Sequence, residues 1–206
     1  ANNKPIQGAN TRTRRCATGL ITAIALLGGT VAAHAQSYPA KPIRWVVPYP
    51  AGGGSDFLAR TIGQQLSQQI THPVTGEHKP GDTSAIAASE VARSAADGYT
   101  ILSADNGTMV FNSALYSKLS YNPEKDLTPV TLMGRFPMIL VVGPNSDVKD
   151  AKDFVAKAKA APGKISYGSA GAGSPHHLAM ELLKVQGGLH MVHIPHPGAA
   201  PALTDP

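Results

Sequence analysis

The chain has 206 residues, with 18 Lys or Arg, 13 Asp or Glu and a formal net charge of +5. Four of the basic residues lie in the first 35 residues, which contain no acidic residue, so 14 basic and 13 acidic residues remain beyond them. This nearly neutral remainder contains no cysteine, and it argues against a nucleic-acid partner, a disulfide framework and a thiolate metal site.

The first 35 residues have the layout of a secretory signal. Basic residues up to Arg15 precede an uncharged stretch of apolar and small residues from Ala17 to Ala33, and Ala33-His34-Ala35 offers an A-x-A cleavage site. We therefore expect residues 1–35 to be a signal peptide and the exported chain to begin near Gln36. A retained membrane anchor is the alternative, but the apolar stretch falls short of the roughly 20 residues that cross a bilayer.

The first predicted element beyond this segment is a β-strand that begins near Lys41. Residues 42–50 are rich in β-branched and aromatic residues and are closed by prolines. The loop at residues 51–56 follows, and Ser55 or Asp56 is a candidate N-cap for the helix that it opens. Apolar residues then recur at helical spacing, at Phe57, Leu58, Ile62, Leu66 and Ile70. A strand, a glycine turn and a helix in this order indicate a unit of parallel sheet.

The same alternation continues along the chain, without a fixed-period repeat. The sequence predicts a helix at about 83–96, a strand at 99–103 with a loop at 105–108, strands at 129–133 and 138–142, a helix at 150–161, a strand at 165–168 and a helix at 176–186. A second loop of small residues, 169–174, joins the last strand to the last helix. We interpret the two similar units as two edges of one cleft.

Both small-residue loops, Ala51 to Asp56 and Ser169 to Ser174, have the chemistry of an anion site. A helix N-terminus presents unpaired N–H groups and a partial positive charge, so it accepts an anion without a lysine or arginine. Glycine lets backbone N–H groups approach a ligand closely. An ordinary turn is the alternative for either loop alone. Neither a G-x-G-x-x-G fingerprint nor a G-x-x-x-x-G-K-[ST] loop occurs, so no phosphate cofactor is expected.

A histidine metal site is a further alternative, because five of the eight histidines lie between His176 and His196. A strand through residues 191–194 would turn His190 and His193 to opposite faces. No carboxylate accompanies them at ligand spacing. Ordinary hydrogen-bonded or solvent-facing histidines are therefore the expectation, and no metal is assigned.

A secreted serine hydrolase is the alternative from another class of protein. It would use Ser174 or Ser55 with a nearby histidine, and Ser174 lies close to His177 in the sequence. The chain has no G-x-S-x-G elbow, and no acid that could orient the histidine is evident from the sequence. We therefore expect a binding protein without catalytic residues.

Several longer strings, in order along the chain, carry a resemblance to a known family. The most specific are Tyr38-Pro39-Ala40-Lys41-Pro42-Ile43-Arg44, residues 46–56 (VVPYPAGGGSD) and Ala96-Asp97-Gly98-Tyr99-Thr100, with further matches at 121–130, 162–165, 169–174, 177–178 and 199–205. From Tyr38 to Asp205 the chain resembles the substrate-binding proteins of tripartite tricarboxylate transporters, also called Bug receptors.

This resemblance implies an α/β fold with two lobes, a type II-like periplasmic binding protein that closes on a ligand. It implies a periplasmic receptor that captures a small carboxylate, such as a dicarboxylate, an aromatic acid or an acidic amino acid, and delivers it to the membrane permease subunits of the transporter. Backbone groups and hydroxyls of the two loops would hold one carboxylate. The candidate residues are Ala51, Gly52, Gly53, Gly54, Ser55, Asp56, Ser169, Ala170, Gly171, Ala172, Gly173, Ser174 and His177, with Asp105, Asn106 and Thr108 for the far end of the ligand.

Three departures from the family pattern stand out. Residues 74–84 (VTGEHKPGDTS) replace an apolar strand and a Glu-Asn-Lys-Pro-Gly-Ala-Gly-Gly run, which weakens the second strand and places Asp82 where a glycine is usual. His196-Pro197-Gly198 stands where Tyr-Lys-Gly is usual. The family continues well beyond the position that matches Pro206. We therefore expect residues 36–103 to form the N-terminal part of lobe 1 and residues 104–206 an incomplete lobe 2. A truncated chain without function is the corresponding alternative.

Overall fold

The computed structural model describes residues 37–205, and the signal peptide expected at residues 1–35 lies outside them. Every element named here belongs to one compact unit, which begins at Pro39. Strands and helices alternate, which confirms the predicted α/β class. In chain order they are β1 Ile43–Val47, α1 Gly54–Ile70, β2 Val74–His78, a 3-10 turn Asp82–Ser84, α2 Ala85–Ala92, β3 Thr100–Leu102, a π-helical turn Gly107–Phe111, α3 Asn112–Leu115, α4 Ala151–Ala160, β4 Ser166–Ser169, α5 Pro175–Gly187, β5 Val192–Pro195 and α6 Ala199–Thr204.

Three parallel strands form the first sheet, in the order β2-β1-β3. The central strand β1 is buried on both faces, with Val46 and Val47 almost fully enclosed. Trp45 packs with Ala59 of α1 in the core, and its indole N–H donates to Ser103 Oγ at 2.9 Å. A continuous run of apolar residues is typical of a central parallel strand, because both of its faces are covered. This strand confirms the first element predicted from the sequence.

The second sheet consists of the parallel strands β4 and β5, with Tyr167 opposite His193. Helix α4 lies as predicted: Asp150 is its N-cap and its carboxylate accepts a hydrogen bond from the Asp153 N–H at 2.8 Å. Residues from α4, from β4 and from the turn before β5 share one core cluster, made of Phe154, Ala158, Tyr167, Leu189 and Met191. Within residues 37–205, no helix is long and apolar enough to cross a membrane.

Two predicted strands, at residues 129–133 and 138–142, are not formed, so that part of the prediction is wrong. Their apolar side chains are largely exposed, with Val130 at 85% and Ile139 at 75%. A strand needs a neighbour whose backbone satisfies its N–H and C=O groups, and no strand of the described residues pairs with either segment. A β-branched sequence is therefore not sufficient to form a strand.

Two further predicted elements differ from the structure in their bounds. The helix expected at about residues 83–96 begins at Ala85, because Asp82, Thr83 and Ser84 have the positive φ angles of the left-handed region, and it ends at Ala92. Residues 106–108 belong to a helical turn and not to a loop. These differences arise from side-chain contacts that a hydrophobic pattern does not contain.

The N-cap of α1 is Gly53, and neither Ser55 nor Asp56 caps the helix from outside. Both residues lie inside the first helical turn. The Asp56 carboxylate reaches back to the Gly52 N–H instead, at 2.9 Å. The prediction that Ser55 or Asp56 is the N-cap is therefore wrong. The Asp56 carboxylate accepts from an N–H group of the loop and not from one of the helix.

We expect the purified chain to self-associate through residues 130–142, because contiguous exposed apolar surface promotes association. Val130→Lys and Ile139→Lys together should shift the mass measured by light scattering toward the monomer. Both side chains are exposed, so the melting temperature should change little. Val185→Lys is the matched control, since Val185 is 79% exposed on α5 and lies outside this segment. An unchanged mass in the double variant would show that another surface drives association.

Candidate functional site

The first glycine loop, residues 51–56, leads the chain from the end of β1 into helix α1. Because Gly53 is the N-cap, the N–H groups of the first helical turn have no intrahelical acceptor and carry the positive end of the helix dipole. Gly52 has a φ of +95°, a conformation that favours glycine. Gly53 has an ordinary φ of −90°, and a Cβ at its position would meet no atom within 4 Å. The loop therefore has open space at Gly53, whereas the Phe136 ring lies 3.3 Å from the position of a Cβ on Gly54, the first residue of the helix.

Asp56 holds the first glycine loop from inside the protein. Its side chain is buried, its Oδ2 accepts from the Gly52 N–H, and its Oδ1 accepts from His78 Nε2 and Arg60 Nε at 2.7 Å each. Burial by itself would raise the pKa of Asp56, but these hydrogen bonds together outweigh it and lower the pKa below its ordinary value. The carboxylate is thus ionised at neutral pH and already bound to protein donors.

The second glycine loop, residues 169–174, leads from β4 into helix α5. Gly171 and Gly173 have φ angles of +118° and +81°, which favour glycine. Ser174 is the N-cap of α5, and its Oγ accepts from the His177 N–H at 3.3 Å. At the start of the loop, the Gly171 N–H donates to Ser169 Oγ at 3.1 Å. The hydroxyls of this loop therefore maintain its shape.

Three stacked rings, Tyr167, His193 and His177, lie behind the second glycine loop. The ring centroids of Tyr167 and His193 are 5.0 Å apart, and those of His193 and His177 are 4.0 Å apart. His193 Nε2 lies 2.7 Å from Ser169 Oγ, and His177 Nδ1 accepts from the Gly173 N–H at 3.0 Å. Burial lowers the pKa of both histidines. An accepting Nδ1 requires the neutral form of His177, so the neutral ring supports the loop.

We expect the protein to lose stability as the pH falls from about 7 to about 5.5. Since the folded pKa values of His177 and His193 lie below the ordinary 6.5, the unfolded chain binds more protons in this range and unfolding becomes more favourable. The Glu181 carboxylate, 3.7 Å from His177 Nε2, favours protonation of that ring and Lys184 opposes it, but burial has the larger effect.

Melting temperatures recorded across this pH range test the expectation. Replacement of His177 and His193 by Phe keeps the aromatic stack and should reduce the dependence on pH; the remainder comes from His176, whose pKa is also lowered by burial. The exposed His190 is the control, and His190→Phe should keep the slope of the unmodified protein. A slope as steep in the double replacement as in the unmodified protein would contradict the assignment to these two rings.

The segment that leads into α6, residues 196–200 with the first two residues of that helix, lies against both glycine loops. A Cβ on Gly198 would lie 2.8 Å from Pro50 Cδ, next to the first loop. On the other side, the His196 N–H donates to the Ser169 carbonyl at 3.0 Å. Sequence reasoning did not assign this segment to the site. A signal was present, since β5, Gly198 and α6 repeat the order of strand, glycine and helix for a third time.

The three candidates for the far end of a ligand lie where the chain enters the helical turn before α3. Asp105 accepts from the Tyr49 hydroxyl at 2.8 Å and from the Thr108 N–H at 2.9 Å. Thr108 is fully buried and its hydroxyl donates to Ser84 Oγ at 2.7 Å. Asn106 is exposed. Two of these side chains are therefore engaged within the protein, and Asn106 is the one that faces solvent.

Asn112 is a buried polar residue that the sequence patterns did not single out. Its Nδ2 donates to the Thr83 carbonyl at 2.9 Å and to the Tyr121 hydroxyl at 3.2 Å. Its Oδ1 has no hydrogen-bond partner among the described residues, and it lies 3.7 Å from the position that a Cβ on Gly173 would take. Asn112 thus bonds to the turn that precedes α2 and lies beside Gly173 of the second glycine loop.

The geometry does not assemble the alternative sites. Ser174 Oγ accepts from the backbone of His177, whose ring faces Gly173 instead, and the Ser55 hydroxyl bonds to no described residue. Ser169 and His193 form a close pair, but no carboxylate of residues 37–205 bonds to that histidine. Over the same part of the chain, no group of three or more His, Cys, Asp or Glu could hold a metal ion.

Comparison with known proteins identifies similar chains. A sequence model of the family described as the tripartite tricarboxylate transporter family receptor matches residues 58–205. A UPF0065 protein from the tcbD-tcbE intergenic region of Pseudomonas sp. strain P51 is 34% identical over 197 residues, which cover 96% of this chain and 58% of that protein. Protein BugT of Bordetella pertussis is 33% identical, over 88% of this chain and 56% of its own. The chain spans about half the length of the curated relatives it matches.

Two solved structures are also similar to this chain. Rpa4515 of R. palustris, solved with adipate, is 34% identical with a TM-score of 0.80 and is matched over 82% of this chain and 56% of its own. MatC (Rpa3494) of Rhodopseudomonas palustris, solved with bound malate, is 31% identical with a TM-score of 0.76 and is matched over 81% of this chain and 56% of its own.

Proposed function

Because the chain belongs to the tripartite tricarboxylate transporter receptor family, we propose that it is part of a periplasmic receptor that captures a small carboxylate. The ligand carboxylate binds between the two glycine loops. The receptor then delivers it to the membrane permease subunits of the transporter. Neither catalysis nor a cofactor is part of this proposal.

One observation carries the proposal: two glycine loops, each between a parallel strand and a helix N-terminus, pack against one segment, residues 196–200. Two helix N-termini at one site supply N–H groups and partial positive charge to an anion without a cationic side chain. A small carboxylate suits such a site, because its oxygens accept from several N–H groups at once.

The candidate residues divide into two roles. Ala51, Gly53, Gly54 and Ser55, with Ala170 and Ala172, offer backbone N–H groups or a hydroxyl to the ligand. Gly52, Asp56, Ser169, Gly171, Gly173, Ser174 and His177 are engaged in the loops themselves and keep them in shape. Among the candidates for the far end of the ligand, Asn106 is the best placed, because it is exposed whereas Thr108 is buried.

The proposal extends to the organisation of the chain. Residues 36–103 contain the first sheet and belong to lobe 1, and residues 104–206 contain the second sheet and belong to lobe 2, with residues 1–35 as the export signal. The relatives solved with adipate and malate support dicarboxylates as the first ligands to test.

Isothermal titration calorimetry of the purified chain with malate, adipate, succinate and glutamate tests the proposal. We expect at least one of these carboxylates to bind with a 1:1 stoichiometry. A melting scan of the same sample establishes that the protein is folded. A cooperatively melting sample that gives no binding heat with any carboxylate would contradict the proposed function.

A further inference from the structure

The three residues that precede helix α2 have unusual backbone angles. Asp82, Thr83 and Ser84 have consecutive φ angles of +45°, +49° and +73°, in the left-handed region where glycine is the usual residue. For a β-branched residue such as Thr83 this conformation is rare and strained. Strain of this kind persists only where the surrounding structure imposes it.

The contacts of Thr83 identify what imposes the conformation. Its carbonyl accepts from Asn112 Nδ2 at 2.9 Å, and its hydroxyl donates to the Ala172 carbonyl in the second glycine loop. The hydroxyl also lies 3.2 Å from the hydroxyl of Tyr116. The Thr83 methyl lies 3.3 Å from the position of a Cβ on Gly173. The left-handed backbone therefore aims the side chain of Thr83 at the second glycine loop.

The peptide group between Ala172 and Gly173 is held at both of its ends. Thr83 donates to its carbonyl oxygen, and its N–H donates to His177 Nδ1 at 3.0 Å. The two holding groups come from different parts of the chain, one before α2 and one in the first turn of α5. Hydrogen bonds arranged in series through one peptide polarise each other, and they fix the orientation of its plane.

We propose that Thr83 is a positioning residue of the second glycine loop: together with His177 it clamps the Ala172–Gly173 peptide in the orientation that binds an anion. This inference rests on the proposed function of that loop. Release of either end lets the peptide rotate, which turns the neighbouring N–H groups away from the ligand. The clamp thus lets a side chain at a strained position contribute to affinity through the loop and without touching the ligand.

Thr83→Val tests the clamp, because valine keeps the β-branched shape and removes the hydroxyl. We expect adipate affinity, measured by calorimetry, to fall about five- to tenfold, the effect of one lost hydrogen bond. We also expect the Gly173 amide proton, followed by NMR hydrogen exchange without ligand, to exchange several-fold faster. Thr83→Ser restores the hydroxyl and should return both values to within about twofold of the unmodified protein.

Thr71→Val is the matched control. Thr71 also has a positive φ, of +55°, and its hydroxyl also donates to a backbone carbonyl, that of Ile70 at 2.7 Å, but it lies at the end of α1. This variant should leave both adipate affinity and Gly173 exchange unchanged. His177→Phe releases the other end of the peptide. Its effect combined with Thr83→Val should be smaller than the sum of the two single effects, because both act on one peptide group.

The two readouts separate the clamp from the proposed function. If the unmodified chain binds none of the carboxylates, the proposed function fails, and the exchange rate of Gly173 still decides whether the clamp exists. Unchanged exchange in Thr83→Val would overturn the proposal. Faster exchange with unchanged adipate affinity would overturn it too, since the clamp would then not position the site.

Discussion

Asp56→Ala should lower the free energy of unfolding by about 2–4 kcal/mol, because a buried carboxylate that accepts three hydrogen bonds is removed. The Gly52 N–H and the ring of His78 would lose their acceptor in a partly buried setting. The Arg60 contact adds little, since that side chain is largely exposed. For a chain of this size we expect a melting temperature lower by roughly 5–15 °C, measured by calorimetry or circular dichroism.

A surface carboxylate provides the control for this variant. Asp97 pairs with Lys41 at 3.0 Å on the exposed side of the protein, and Asp97→Ala should leave the melting temperature nearly unchanged, because solvent screens an exposed ion pair. The folded pKa of Asp56 is depressed, so its contribution is complete above about pH 4 and is lost as the pH falls further. The difference between the two proteins should therefore shrink in acid. Equal stability of Asp56→Ala and Asp97→Ala at pH 7 would contradict the role of Asp56 as the support of the first glycine loop.

Gly53→Val should abolish most carboxylate binding while leaving the fold intact. The side chain fits the backbone, since Gly53 has a φ of −90°, and its Cβ would point into space that holds no atom within 4 Å. That space lies beside the N-terminus of α1, where we place the ligand. A branched side chain there should weaken adipate binding about 10- to 100-fold, a penalty typical of an overfilled site. The loss of a glycine N-cap should cost about 1 kcal/mol or less of stability.

The same substitution in β2 serves as the control. A Cβ on Gly76 also meets no atom within 4 Å, and this residue lies in the middle of a strand, outside both glycine loops. Gly76→Val should bind adipate as the unmodified protein does. If Gly53→Val retains full affinity in the same calorimetric experiment, the anion binds elsewhere.

The sequence predicted the elements whose signals are local. The buried run of β1 and the helices α4 and α5 have patterns that extend over only a few neighbouring residues. Residues 129–133 and 138–142 have an equally good local pattern for strands, but they do not pair. Strand formation depends on a partner supplied by a distant part of the chain, and a hydrophobic pattern contains no information on whether that partner is in place.

The candidate site shows the same division. Both glycine loops were evident from their composition, because glycine and small residues after a strand signal a helix N-terminus with space beside it. The roles inside the loops were not evident. Asp56 was a candidate to contact the ligand, and the structure shows its carboxylate buried and bonded to Gly52 and His78. The sequence did not predict a role for Thr83, because its backbone angles and its contact with Ala172 are visible only in the tertiary structure.

The sequence by itself therefore determined the α/β class, the family and the two glycine loops that we propose as the anion site. It could do so because glycine turns and apolar runs act over a few adjacent residues. The tertiary structure alone decided which carboxylates and hydroxyls remain available to a ligand. Residues far apart in the chain, such as Thr83 and Ala172, or Asp56 and His78, satisfy each other's hydrogen bonds, and a group bonded within the protein is no longer free for a ligand.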